Sequence, residues 1–318
     1  MSGESERRPV GLKAITSARE ERARSKTGRV SGKTWLAGGA ALVATMVIAY
    51  LFSDRSLSTD KEKLLAEQRA AVVTVGAEWF PLRDKLEAIT LGAAKDYKGD
   101  LVDPEAQKGD FRNLPGIYLR MRVDAAKDTK TLREHAAESL RDAFTACLMK
   151  PAPIDADGGG GVGGQPWNLR QAYQSTRVLE DVWANEVRES TDKLRLRVFE
   201  QQYEKAKRDE IPLAIDIVKR ASIYLLVLDE DVPEAREYAG DAGKIDEEAL
   251  QQVAHPARVV VVDLKSGAEI VRIRRSSSAG FVFAGEHAVQ DPETLAAMRR
   301  QVNNCALAND VWAAIHPQ

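Results

Sequence analysis

The feature that most constrains this chain is an uncharged apolar run from Trp35 to Phe52. As a helix the run would be about 27 Å long, close to the roughly 30 Å hydrocarbon core of a bilayer. Trp35 and Tyr50 lie near its two ends, where amphipathic rings prefer the headgroup level, and Lys33 and Arg55 flank it. Because no small-residue cleavage site follows, we predict an uncleaved transmembrane helix over this run rather than a signal peptide.

The charges on the two sides of this run predict its orientation. Residues 1–34 carry nine Lys/Arg and four Asp/Glu, and residues 53–318 carry the remaining 37 and 44. Five Lys/Arg lie within about fifteen residues before the run and three lie after it, so the positive-inside rule favours a cytoplasmic N-terminus. We therefore predict a single-pass protein of the cytoplasmic (inner) membrane, with a disordered basic tail over 1–34 and a periplasmic main body. The acidic body argues against nucleic acid as a partner.

The first part of the body, residues 53–150, is predicted to be helical, with a coiled-coil seam. Its apolar residues alternate steps of three and four, with one polar member, Gln68. The seam consists of Leu65, Gln68, Val72, Val75, Trp79, Leu82, Leu86, Ile89 and Ala93. Pro81 lies inside it and is expected to kink the helix or to end its first half, and residues 99–115 are expected to form a loop.

Residues 151–166 are rich in glycine and proline and predict a flexible linker. A long helix is predicted over 167–210, and an antiparallel pairing of this helix with the seam is expected, with a parallel pairing as the alternative. The apolar pattern is less regular from Glu189 to Lys193, which leaves a break there as an alternative.

Residues 211–318 predict a small domain with an antiparallel sheet and helices, so that the fold class is α+β. The run Ser222–Leu228 is typical of a strand, preceded by a short helix that begins near Pro212. Turn residues 265–267 lie between two further strands and predict a hairpin. The remaining predicted elements are the hairpin strands Arg258–Leu264 and Ala268–Arg274, a third strand Gly280–Ala284, and a last helix that opens at Asp291-Pro292.

Cys147 and Cys305 are the only cysteines, and both lie on or beside apolar helical stripes. Such stripes suit small buried residues, but an oxidising compartment favours pairing. We therefore predict a Cys147–Cys305 disulfide, which requires the helix around Cys147 to pack against the C-terminal helix.

Four arginines cluster on the predicted hairpin: Arg258, Arg272, Arg274 and Arg275. They predict either a patch for an anionic partner or an exposed charged sheet face.

No catalytic, cofactor-binding or metal-binding residue is predicted from the sequence. Residues 28–34 are one residue short of a nucleotide-binding loop, and Leu225–Glu230 resembles the magnesium-holding strand that would complete such a site. The two segments would lie on opposite sides of a membrane, so a shared nucleotide is excluded.

The leading functional hypothesis is a non-enzymatic, bitopic scaffold or interaction protein of the cell envelope. Its expected partners are the lipid bilayer and other envelope proteins bound through helical surfaces. A homodimer through the small-residue row Ala37, Ala41 and Thr45 is an alternative. The second hypothesis is an extracytoplasmic ligand-binding or sensory module that works with a separate signalling partner, and an unrecognised hydrolase is the third. A concave pocket with convergent polar groups would favour the alternatives to the scaffold, whereas exposed apolar seams would favour the scaffold.

Overall fold

A computed structural model describes residues 32–108, 110–139, 142–149, 165–239, 245–276 and 291–317. The chain divides into two compact units, residues 1–60 and 61–318. The first helix, α1, spans Gly32–Ala93 and includes residues of both units. The sheet and all the other described elements belong to the second unit.

Within the described part of the chain, no helix is both long enough and apolar enough to cross a membrane. The side chains of the predicted span, residues 35–52, lie outside the described residues apart from the exposed Leu42 and Val43. Residues 1–31 of the predicted tail also lie outside them. The span and its orientation therefore stay predictions.

The second unit is a mixed α+β fold. Its strands are β1 (Leu101–Val102), β2 (Gly116–Arg122), β3 (Trp167–Asn168), β4 (Ile223–Asp229), β5 (Pro256–Asp263) and β6 (Glu269–Ser276). Its further α-helices are α2 (Pro104–Lys108), α3 (Thr129–Glu138), α4 (Phe144–Leu148), α5 (Arg170–Thr176), α6 (Asp181–Glu189), α7 (Lys193–Lys205), α8 (Ile211–Arg220), α9 (Glu247–Gln251) and α10 (Pro292–Ile315). A π-helical turn, Ala206–Glu210, joins α7 to α8.

The six strands form one sheet in the order β1-β6-β5-β4-β2-β3. Strand β2 runs parallel to both β3 and β4, whereas β4, β5, β6 and β1 pair in antiparallel fashion along the sheet. The antiparallel pairing predicted within residues 211–318 is confirmed for β4, β5 and β6. The prediction is wrong in part, because β1, β2 and β3 come from earlier in the chain and β2 adds parallel pairs. The predicted boundaries within 53–318 do not separate independent bodies, since one sheet takes strands from several of the predicted segments.

Strand β4 is buried at all seven positions, because helices cover both faces of the sheet. Alternate residues of a strand point to opposite faces, so Leu225 and Val227 share one face and Tyr224 lies on the other. On the first face, Leu225 and Val227 belong to a core with α4 and α10. On the second face, the hydroxyl of Tyr224 lies 2.8 Å from the hydroxyl of Thr90 on α1.

The predicted seam of α1 is buried or half-buried along its length within the second unit. Trp79 is fully buried and meets Tyr173 of α5 edge-on, with ring centroids 6.3 Å apart. Further along the helix, the buried carboxylate of Glu87 accepts from Arg133 of α3 at 2.8 and 2.9 Å. The seam therefore packs against this chain's own helices.

Helix α1 continues through Pro81 and does not end there, because the loss of one helical hydrogen bond at an exposed position is outweighed by the buried residues on either side of it. A kink at Pro81 stays a prediction. Two other predictions about the helical region are wrong. Residues 99–115 contain β1, α2 and the 3₁₀ turn Phe111–Asn113. The long helix over 167–210 is absent as one element, because β3 opens this segment and the chain leaves the helical path after α5 and again after α6. An antiparallel pair of long helices is therefore absent too.

Several local predictions are confirmed. The break near Glu189–Lys193 separates α6 from α7, and Asp192 caps α7 by accepting from the backbone N–H of Arg195. The helix near Pro212, the strand that follows it, the hairpin and the last helix are α8, β4, β5–β6 and α10. Gly267 adopts a φ of 75° in the hairpin turn, which only glycine takes without strain. Residues 151–164 of the predicted linker and the predicted strand at 280–284 lie outside the described residues.

We expect Trp79→Ala to lower the free energy of unfolding by about 3–5 kcal/mol, because it leaves a large cavity beneath α1. Val73 lies on the same helix and is 74% exposed, so Val73→Ala should change the free energy by less than about 0.5 kcal/mol. Urea denaturation of both variants measures the difference, and equal effects would contradict the packing of α1 against α5.

Candidate functional site

A buried ion pair joins the two central parallel strands on the α4–α10 face of the sheet. Arg120 of β2 donates from Nε and Nη2 to the two carboxylate oxygens of Asp229, the last residue of β4, at 2.7 and 2.9 Å. Both side chains are about 1% exposed. Such two-point pairing fixes both the distance and the orientation of the two groups. The pair therefore ties the carboxyl ends of β2 and β4 together.

Two further ionisable groups complete this buried cluster. Nε2 of His255 lies 3.0 Å from Asp229, and Nδ1 lies 2.9 Å from the backbone carbonyl of Val253. Asp142, which precedes α4, accepts from Nη1 of Arg120 at 3.1 Å and from the hydroxyl of Tyr118 at 2.6 Å. One arginine thus contacts two buried carboxylates.

The charges in the cluster determine its ionisation. Burial by itself would raise the pKa of Asp229, but the positive charges of Arg120 and His255 and their hydrogen bonds hold that pKa well below its usual value. Burial would lower the pKa of Arg120, but Asp229 and Asp142 raise it well above its usual value. Burial and the neighbouring Asp142 raise the pKa of Tyr118. Asp229 and Arg120 are therefore both charged at neutral pH.

Beside this cluster lies a cavity of about 270 Å³, which we call the polar cavity. The loop before α4, helix α9 and helix α10 form its walls. The lining residues are Asp142, Ala143, Glu248, Gln251, Ala297, Arg300, Gln301 and Asn304. The cavity has a buried floor and an exposed rim.

Two amide side chains connect the ion cluster to the polar cavity. Nη1 of Arg120 donates to Oδ1 of Asn304 at 2.5 Å, and Nδ2 of Asn304 donates to Oε1 of Gln251 at 3.1 Å. Gln251 is only 2% exposed, yet its Nε2 has no hydrogen-bond acceptor among the described residues. A buried donor that lacks an acceptor is costly, and here it belongs to a residue that lines the polar cavity.

A larger cavity, of about 530 Å³, lies on the α5–α8 side of the unit beside Trp167. Three of the polar side chains that line it have partners within the chain. Gln174 donates to the carbonyl of Ala137, Ser175 donates to the carbonyl of Ala172, and Glu210 pairs with Lys205. Of these two cavities, the smaller polar cavity is the better candidate site, because a residue of its wall carries a buried donor that has no acceptor among the described residues.

A disulfide joins Cys147 of α4 to Cys305 of α10, with their Cα atoms 5.1 Å apart. Cys305 directly follows Asn304, and α4 begins two residues after Asp142. The bond thus links the two walls of the polar cavity that carry these side chains. The sequence predicted the pairing, but it did not indicate that a cavity lies beside it.

Each of the four hairpin arginines pairs with a carboxylate of the chain. Arg258 and Arg274 both pair with Glu230, at 2.7 and 2.6 Å. The other two pairs are Arg272 with Glu269, and Arg275 with Asp100 at 2.7 Å. The four arginines share three carboxylates, so each of them is paired within the chain. A patch for an anionic partner stays a prediction.

Sequence reasoning missed Arg120, His255, Asn304 and Gln251, and it noticed Asp229 only within a nucleotide-site pattern. One signal was present, because Arg120 stands inside the run GIYLRMR, where a charge on a buried strand requires a partner. The fold had to be known before that partner could be identified.

Within the described ranges, no group of His, Cys, Asp and Glu side chains is arranged to hold a metal ion. Comparison with protein families, with curated proteins and with solved structures finds no match to this chain.

We expect Asp229→Asn to lower the free energy of unfolding by about 3–5 kcal/mol at pH 7, because it leaves Arg120 buried without its main counter-charge. The pKa of Asp229 is lower in the folded than in the unfolded state, so its contribution is present at neutral pH and is lost as the pH falls below about 4. Urea denaturation between pH 7 and pH 3 should show that the difference in the free energy of unfolding between wild type and variant becomes smaller as the pH falls.

The control for this experiment is Asp231→Asn, two residues along the chain. Asp231 pairs with Arg122 near the surface, where an ion pair contributes about 0–1 kcal/mol. If the difference in the free energy of unfolding between wild type and Asp229→Asn does not depend on pH, this result would contradict the conclusion that Asp229 is ionised in its pair with Arg120.

We expect replacement of both cysteines by serine to lower the free energy of unfolding by about 2–5 kcal/mol, because the disulfide closes a 158-residue separation in the unfolded chain. Dithiothreitol should destabilise the wild type by a similar amount and leave the double variant unchanged. Equal stability of the oxidised wild type and the double variant, measured by urea denaturation, would argue against a stabilising bond.

Proposed function

We propose that this protein is an extracytoplasmic ligand-binding module, anchored by its predicted N-terminal span, that binds a small polar molecule in the polar cavity. The observation that carries the proposal is the buried Nε2 of Gln251, a residue that lines the cavity: this donor has no acceptor among the described residues. A ligand oxygen would supply that acceptor. Specific small-molecule sites combine a concave shape with a few fixed polar groups in this way.

The position of the polar cavity in the fold supports the proposal. The cavity lies beside the carboxyl ends of the parallel strands β2 and β4. These ends carry Arg120 and Asp229, which belong to the ion cluster next to the cavity. Ligands of α/β sheets commonly bind outside the carboxyl ends of parallel strands. The ion cluster behind the floor holds its side chains in one arrangement, which reduces the entropy lost on binding.

The scaffold function expected from the sequence is the second candidate. The seam of α1 gives it little support, since this seam packs within the chain. The observation that favours it is a pair of exposed apolar side chains one turn apart on α7, Leu194 at 74% and Val198 at 46% exposure. Such a pair suits contact with another protein.

Two matched variants of α10 test the ligand-binding function. Ala297 is exposed and lines the polar cavity, so Ala297→Phe should fill the mouth without disturbing the floor. Ala313 is also exposed on α10 but does not line the cavity, which makes Ala313→Phe the control. The full chain is purified in a detergent without a sugar headgroup, and thermal unfolding is measured against a panel of small polar compounds at millimolar concentration.

We expect at least one compound to raise the unfolding temperature of the wild type and of Ala313→Phe, with the shift lost in Ala297→Phe. A shift that survives in Ala297→Phe would place binding elsewhere. If no compound stabilises the wild type, the ligand-binding function fails and the scaffold function is favoured.

A further inference from the structure

We infer that the ligand of the polar cavity is a small uncharged polyol, a molecule of monosaccharide size that binds through its hydroxyl groups. This inference rests on the proposed function and names the class of ligand for the same site. It follows from the direction of the hydrogen bonds in the floor, from the charges around the cavity, and from its size.

The direction of the hydrogen bonds in the floor is set by Arg120. A guanidinium only donates, so Asn304 must turn its amide oxygen to Arg120 and its nitrogen to Gln251. Gln251 must then turn its oxygen to Asn304, which leaves its nitrogen as the unpartnered atom. The ligand must therefore bring an acceptor to this position.

The second floor group requires a donor from the ligand. The carboxylate of Asp142 accepts from Tyr118 and Arg120 at one oxygen and from the backbone N–H of Phe144 at the other, at 3.0 Å. A carboxylate has about four acceptor positions, so one remains beside these three contacts from the described residues. A ligand hydroxyl can accept from Gln251, and a second hydroxyl can donate to Asp142.

The charged groups beneath the floor are already paired with one another. Arg120 pairs with Asp229 through Nε and Nη2 and with Asp142 through Nη1. The floor therefore presents no unpaired guanidinium to a ligand. An ionised ligand group placed on this floor would have no counter-charge, and burying an unpaired charge is costly.

The charges of the rim are paired in the same way. Nη1 of Arg300 lies 3.3 Å from Oε2 of Glu248, so the rim presents one charge of each sign, held together. Neither an anion nor a cation finds an excess of opposite charge there. A cavity of about 270 Å³ limits the ligand to a small molecule.

The test compares three classes of ligand on the full chain in a detergent without a sugar headgroup. The probes are neutral polyols (glucose, galactose and myo-inositol), zwitterions (glycine and alanine) and anions (glucose 6-phosphate and citrate). Binding is measured by thermal shift and by isothermal titration on the wild type and on Gln251→Met. The matched control is Gln201→Met, at an exposed glutamine of α7 that does not line the cavity. We expect a neutral polyol to bind, Gln251→Met to weaken its binding about tenfold, and Gln201→Met to leave its binding unchanged.

The outcomes separate the class of ligand from the proposed function. Binding of a zwitterion or an anion that depends on Gln251 would overturn the polyol class and leave the function standing. Binding of no probe and of no other polar compound would overturn both. If Gln251→Met does not fold, the Ala297→Phe and Ala313→Phe variants test the site instead. Polyol binding that is lost in Ala297→Phe and kept in Ala313→Phe supports the inference. Polyol binding that is kept in Ala297→Phe overturns it.

Discussion

The bidentate pair between Arg120 and Asp229 is the interaction on which the architecture of the second unit depends. A buried arginine is tolerated only where carboxylates surround it, and here they come from the end of β4 and from the loop before α4. This requirement fixes the carboxyl end of the sheet against the helical layer on one face. The apolar core around β4 supplies most of the burial, while the ion pair selects one arrangement of the elements.

The same pair organises the candidate site. Arg120 determines which way Asn304 and Gln251 point their amides, so the buried charge determines that the atom of Gln251 left without a partner among the described residues is a donor. The disulfide at Cys147 and Cys305 links the walls that carry Asp142 and Asn304. Fold, cavity and disulfide therefore form one connected arrangement, in which the groups that stabilise the unit also position the binding groups.

Local elements with strong patterns could be predicted from the sequence. The hairpin β5–β6 has alternating strands around turn residues, α10 has a proline at its first turn and Asp291 as its cap, and the break before α7 has a capping aspartate. These features depend on neighbours within a few residues, so the sequence carries them directly. The α+β class followed from the same local patterns.

The chain's sequence alone determined the apolar run at 35–52, the charge asymmetry on its two sides, and the local strands and helices. Only the tertiary structure decided that GIYLRMR is a central parallel strand, that the seam of α1 is buried within the chain, and that Arg120, Asp229, His255 and Asn304 meet. The reason is that parallel strands are joined through distant crossovers, and a buried charge is stable only beside partners up to 184 positions away. Such long-range pairing leaves no local pattern in the sequence.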